Sequence, residues 1–160
     1  MTRTQWLVSA VPLILFTACS SGDGSSGPPL PLVTAHGTAS VGGQEFTPGY
    51  GASNVFPSGT VDIVFSAVAM NCSTLTSTFP IEGTFVQVEI PSATKGIPDR
   101  HMVMFTVVSG GNVTGGGSSS GTVEVLDVSD SLITVRVAYQ DTIQDVAYAV
   151  NGDFGVVRCP

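Results

Sequence analysis

From Leu32 onward the apolar residues of this chain come in short runs with a two-residue period, and Gly, Asn, Asp, Ser and Pro separate those runs at close intervals. No stretch repeats its apolar positions at the roughly 3.6-residue spacing of an amphipathic helix. A chain patterned this way buries its apolar rows only by pairing strands into sheets whose inner faces meet. The clearest unit is Gly121–Gln140, where TVEVLDV and LITVRVAY flank the turn Ser129-Asp130-Ser131. On its second strand Ile133, Val135, Val137 and Tyr139 share one face, and Thr134, Arg136 and Ala138 share the other.

The remaining runs read in the same way. Val33–Val41 meets Gly42-Gly43 and returns as Gln44–Tyr50, a tight hairpin whose second strand Pro48 marks as an edge or a bulge. Thr60–Met70 is apolar on both alternate sets, so it is expected to be a central strand covered on both faces. Thr84–Ile90 alternates, with Val86, Val88 and Ile90 inward and Gln87 and Glu89 outward. Pro91–Arg100 reads as a loop, and His101–Ser109 as a strand with apolar residues on both faces. Gly110–Gly121, GGNVTGGGSSSG, reads as a mobile polar loop that adds nothing to the core. Asp141–Gln144 is the next expected turn, and Asp145–Cys159 the closing strand, with bulges suggested at Gly152 and Gly155. About eight strands follow, and the expected fold is an antiparallel β-sandwich, with a lipocalin-like closed barrel as the alternative.

Ahead of this domain, Met1 and Arg3 precede an apolar run from Trp6 to Phe16, and Thr17-Ala18-Cys19 follows it. The run is about half of the roughly twenty residues that a spanning helix needs, and it contains Pro12. This is the three-part pattern of an export signal. Its end, Phe16-Thr17-Ala18-Cys19, resembles the lipobox of bacterial lipoproteins. The resemblance implies cleavage before Cys19, acylation of its thiol and its new amino group, and, with Ser20 rather than Asp next, sorting to the outer membrane. Several acyl chains, each methylene contributing about 0.8 kcal/mol, make such an anchor stable. The organisation expected is a signal at 1–18, a lipidated cysteine and flexible Gly/Ser/Pro linker at 19–31, and a β domain at 32–160.

The chain carries a formal net charge of −7, and one of its five basic residues, Arg3, lies in the leader. An acidic domain without a basic cluster repels phosphate backbones, which excludes nucleic acid as a partner. Charged residues make up 11 % of the chain, against roughly 25 % in an average domain, so Ser, Thr and Gly must supply the polar surface. The single tryptophan, Trp6, belongs to the leader, and stacking on a sugar ring would fall to Tyr50, Tyr139, Tyr148 or a phenylalanine.

With Cys19 lipidated, Cys72 and Cys159 remain as a pair in an oxidising compartment, and a Cys72–Cys159 disulfide is expected. The segments GTVEVLDVSDSLITVRVAY and VNGDFGVVRC resemble the terminal hairpin and closing cysteine strand of small, uncharacterised β-sandwich lipoproteins of bacteria. That resemblance brings no known activity with it.

Candidate chemistry is sparse. Gly117-Ser118-Ser119-Ser120-Gly121 has the G-x-S-x-G form of a nucleophile elbow, but no histidine and no helical pattern follow Ser119. His36 and His101 are the only histidines, too few for a zinc site. Met102 and Met104, with His101 beside them and Met70 elsewhere, carry ligand types suited to Cu(I), although strand alternation separates His101 from the two methionines. Asp127, Asp130, Asp141 and Asp145 bracket turns and read as solvated carboxylates. Asn71 and Asn112 begin glycosylation sequons that a bacterial lipoprotein does not normally use. The expectation is a non-enzymatic, cofactor-free envelope lipoprotein, held to the membrane by its anchor and binding an envelope protein or a small ligand. Copper handling and carriage of a small apolar ligand are its alternatives, and the oligomeric state stays open.

Overall fold

The computed structural model describes residues 28–76 and 81–160. The expected signal, Cys19 and most of the expected linker lie outside them. Among the described residues ten strands are found: β1 (Thr34–Val41), β2 (Gln44–Phe46), β3 (Tyr50–Val55), β4 (Val61–Ser66), then, after a helical turn α1 (Cys72–Thr76), β5 (Gly83–Ile90), β6 (Met102–Ser109), β7 (Asn112–Ser118), β8 (Thr122–Val128), β9 (Leu132–Ile143) and β10 (Val146–Arg158). Hydrogen-bonded neighbours run β2-β1-β10-β3-β4-β5-β6-β7, while β9 and then β8 continue from the other side of β10.

Strand β10 is the hinge of this arrangement because it is long enough to serve both its edges. One edge pairs with β9 from Val146↔Ile143 to Val157↔Leu132. The other pairs with β1 as far as Gly155, then with β3, in parallel, at Val157 and Arg158. Two arms of sheet thus diverge from one strand and curl until their apolar rows meet. The fold is all-β, as expected, and is a single curled open sheet rather than two separately bonded ones.

The row Ile133, Val135, Val137 and Tyr139 of β9 faces the row Val61, Ile63 and Phe65 of β4 and the row Val86, Val88 and Ile90 of β5 in one core. Phe65 of β4 and Phe154 of the shared strand β10 stack with ring centroids 4.4 Å apart. Phe105 of β6 lies 5.8 Å from Tyr139 and 5.2 Å from Tyr148. These aromatic contacts help tie the arms together.

The expected double covering of Thr60–Met70 has a specific origin. Val64 turns to the outer face, where Met70, Phe85 and Val108 join it in a second, smaller core. Leu75 and Ile81, on either side of the undescribed residues, pack against that cluster from the α1 segment. The segment is fastened by the Cys72–Cys159 disulfide, with Cα atoms 5.5 Å apart, and Cys159 N–H donates to the Ser53 carbonyl at 2.7 Å.

Four expectations change. Gly110–Gly121 is not a loop: residues 112–118 pair with β6 at seven positions, from Ser109↔Asn112 to Val103↔Ser118. Gly110 and Gly111, with φ of 57° and 79°, form the two-residue turn, and a ladder of backbone bonds needs no apolar side chains to form. The glycines of β10 are not bulges, since its registers with β1 and β9 run unbroken through Gly152 and Gly155. Gly152 lies opposite Gly37, and a Cβ on either would strike the backbone of the other strand. The register shift falls instead in β8, between Val125 and Asp127. The turn expected at Asp141–Gln144 moves to Gln144-Asp145, both at positive φ, because the alternation of β9 continues to Ile143, which packs against the core. Finally, β3 carries no apolar signal of its own: Gly51, Ala52 and Ser53 are buried because small residues let β10 and β4 close on them.

Candidate functional site

The densest polar constellation among the described residues lies at the seam where the curled sheet fails to close. Strand β7 ends at Ser118, the link to β8 supplies Ser120, and β9 supplies Tyr139 and Asp141 as the continuation of its inward row. Ser118 Oγ donates to Asp141 Oδ2 at 2.6 Å, and Ser120 Oγ donates to the same oxygen at 3.2 Å. The two serine oxygens are 2.7 Å apart, and the Tyr139 hydroxyl is 3.3 Å from Ser118 Oγ. Thr142 N–H donates to Asp141 Oδ1 at 2.8 Å.

These donors hold the Asp141 carboxyl below the usual range, the Ser118 hydroxyl contributing most and then the Thr142 N–H, against a desolvation effect that outweighs the smaller contribution of Ser120. A carboxylate held ionised by its neighbours is a weak proton acceptor. The Ser118 hydroxyl donates to this weakly basic carboxylate, and His101 is turned elsewhere: its Nε2 meets the Ser120 carbonyl oxygen at 3.3 Å. Ser119, which the elbow pattern places in the nucleophile position, is exposed and stands outside this set of bonds. The cluster joins β7 to β9, a strand with which it shares no ladder.

The sequence offered one unused signal for this cluster. Asp141 keeps the parity of Ile133, Val135, Val137 and Tyr139, so it belongs to the inward row and not to a solvated turn. Sequence reasoning treated the serines and the aspartate separately, and the structure brings them together.

Two recesses flank the core. A cleft of about 270 Å³ is lined by Thr60, Glu89, Arg100, His101 and Met102, among others. At the opposite end of the curled sheet, a recess of about 250 Å³ is lined by Val41, Phe46, Ala67 and Val107 together with Gln44 and Glu45. The three methionines considered as copper ligands do not converge. Met70 is 2 % exposed inside the smaller core, Met102 is 39 % exposed, and Met104 lies over the bare backbone of Gly117. No group of three or more His, Cys, Asp or Glu side chains able to hold a metal ion occurs among the described residues.

On the outer face, Glu124, Arg136, Asp153 and His36 occupy successive strands in direct register. Arg136 donates to both Asp153 oxygens at 2.8 and 2.9 Å and lies 3.7 Å from Glu124. The Arg136 guanidinium holds Asp153 below the usual carboxylate range. On the other arm Asp62 is pushed upward, first by burial and then by Glu89 opposite it, while two 2.8 Å bonds from Gln87 Nε2 oppose the shift.

No described helix is long and apolar enough to cross a membrane. Comparison with protein-family models, with curated proteins and with solved structures finds no match.

Proposed function

We propose that this chain is a lipid-anchored, non-catalytic module of the cell envelope, tethered to the outer membrane through acylated Cys19 and serving as a binding or structural element. The observation that carries the reading is the use made of the seam cluster. Its two serine hydroxyls already donate to Asp141, a carboxylate held ionised, so the residues most suited to acyl transfer are committed to holding two strands together. The Cys72–Cys159 disulfide suits an oxidising compartment. In this reading the two arms act as the layers of a β-sandwich that share β10, and the loops at their ends meet an envelope protein.

The test is the intact mass of the protein extracted from its own membrane, together with assays of the full chain on ester, peptide and glycoside substrates. A mass matching acylated Cys19–Pro160 and no turnover are expected. An unacylated chain, or a turnover that Ser118→Ala abolishes, overturns the reading.

The recess lined by Val41, Phe46, Ala67 and Val107 favours a second reading, a carrier of a small apolar ligand. Lipid co-purifying with the native chain, and lost on Ala67→Trp, would establish it. A copper-handling role through Met102, Met104 and His101 predicts stoichiometric Cu(I) uptake, which the first reading does not.

A further inference from the structure

The curled sheet ends in three strands, and two of them carry devices against pairing with another chain. Strand β2 is three residues long and bears Glu45. Strand β8 bears Glu124 and Asp127, has an irregular register between Val125 and Asp127, and exchanges backbone bonds with Gly96 at 2.8 and 2.9 Å. Short edge strands, charges, bulges and covering loops are the means by which natural sheets avoid edge-to-edge association. Among the described residues, strand β7 has none of them. It is seven residues long, its register with β6 is unbroken, and no charged residue or proline occurs from Ser109 to Gly121. Among the described residues, the side-chain hydrogen bonds of this strand are those of Ser118, and Asn112–Gly115 are exposed.

We propose that the free edge of β7 pairs with β7 of a second copy of this chain, antiparallel about a two-fold axis. Two observations single out a copy as the occupant. The chain carries a net charge of −7, so copies repel wherever acidic residues meet, and β7 is an edge whose own residues are neutral. The second concerns fit. Gly116 faces the core side chains of Ile143 and Tyr148, so Val113, Gly115 and Gly117 share the outer face. When two such strands pair with their outer faces on one side, each residue meets one of its own parity. Centring on Thr114 sets Val113 opposite the copy's Gly115, whereas Met104 already covers Gly117. In this register Val113, 62 % exposed in the single chain, meets a residue without a side chain on its partner.

Charges approach only at the ends of the pair. Glu82, whose carboxylate accepts from Gly110 N–H at 2.8 Å, is brought toward the copy's Ser118 and Asp141. Pairing of this kind strengthens as salt screens the two acidic chains from each other.

The experiment uses the full chain in the membrane of the cells that make it, with Thr114→Cys and a short bis-maleimide cross-linker. A covalent species of twice the monomer mass is expected. It should intensify as salt is raised, be lost in the double variant Thr114→Cys with Val113→Lys, and be missing from the parent chain and from Ala147→Cys on β10. Equal protease resistance of the variants confirms that each is folded. A Thr114→Cys chain that stays monomeric, or one that cross-links no more than Ala147→Cys, overturns the proposal. So does a band that fades with salt, or a product whose mass fits a different protein.

Discussion

Strands β10 and β7 are both stretches rich in small residues, yet they hold opposite ranks in the molecule. β10 is bonded along both edges and contributes Tyr148, Val150, Phe154 and Val156 to the core. β7 is bonded along one edge and contributes no residue to that buried set. Glycine marks close backbone approach in both: at Gly152 against Gly37, and at Gly115 and Gly117 against the carbonyls of Phe105 and Val103. The comparison separates two routes to a strand. One is driven by burial of alternate side chains, and the other by a tight turn and a ladder of backbone bonds laid on an existing strand.

The largest effect should come from the buried route. Phe154→Ala removes the ring stacked on Phe65 and is expected to cost about 3–5 kcal/mol in denaturant unfolding. A loss below about 1 kcal/mol would mean that the arms are not held together through this contact. Breaking the disulfide ranks next. Cys72→Ser or Cys159→Ser should each cost about 2–5 kcal/mol, and the double variant no more than either, since both remove the same bond.

Asp62 and Asp141 sharpen the comparison through pH. The folded value of Asp62 is raised, so its contribution is complete below the ordinary carboxylate range and is lost as pH rises through the raised value. Asp62→Asn should therefore be more stable than the parent at neutral pH, and the gain should vanish in acid. Asp141 has the opposite sign. Its folded value is lowered, so its contribution is present above the ordinary range and lost as pH falls through the lowered value. Asp141→Asn should speed amide exchange in β7 at neutral pH while leaving β10 unchanged, and the difference from the parent should close in acid. Equal acceleration in both strands would show that the seam bonds support the whole sheet and not β7 alone. The smallest effect belongs to Val113→Ala, which should leave the stability of the single chain within about 0.5 kcal/mol.

The same contrast explains what could be read in advance. Ile133, Val135, Val137 and Tyr139 announced β9 because burial writes a two-residue period into the sequence. The Cys72–Cys159 bond followed from counting thiols. β7 was hidden because backbone bonding imposes no side-chain period. β3 was hidden because Gly51, Ala52 and Ser53 are buried by being small. Gly152 was misread because a bulge and a close approach leave the same glycine in a strand. The seam cluster was hidden for a further reason: Ser118 and Asp141 are more than twenty residues apart in the chain, and only the curl of the sheet makes them neighbours.

The position of β10 in the order of the strands has a consequence for biogenesis. It comes after every strand it joins, and without it β1, β3 and β9 have no common neighbour. A polypeptide threaded through an export channel from its amino end would deliver nine strands that cannot assemble around their shared partner. If this chain is exported, as proposed, that order would leave it loosely folded until the closing strand emerges, when Cys159 can meet Cys72 across a sequence separation of 87. Contacts this distant in sequence fold slowly. The delay expected of such a topology is also what would keep an exported chain in a state fit for translocation.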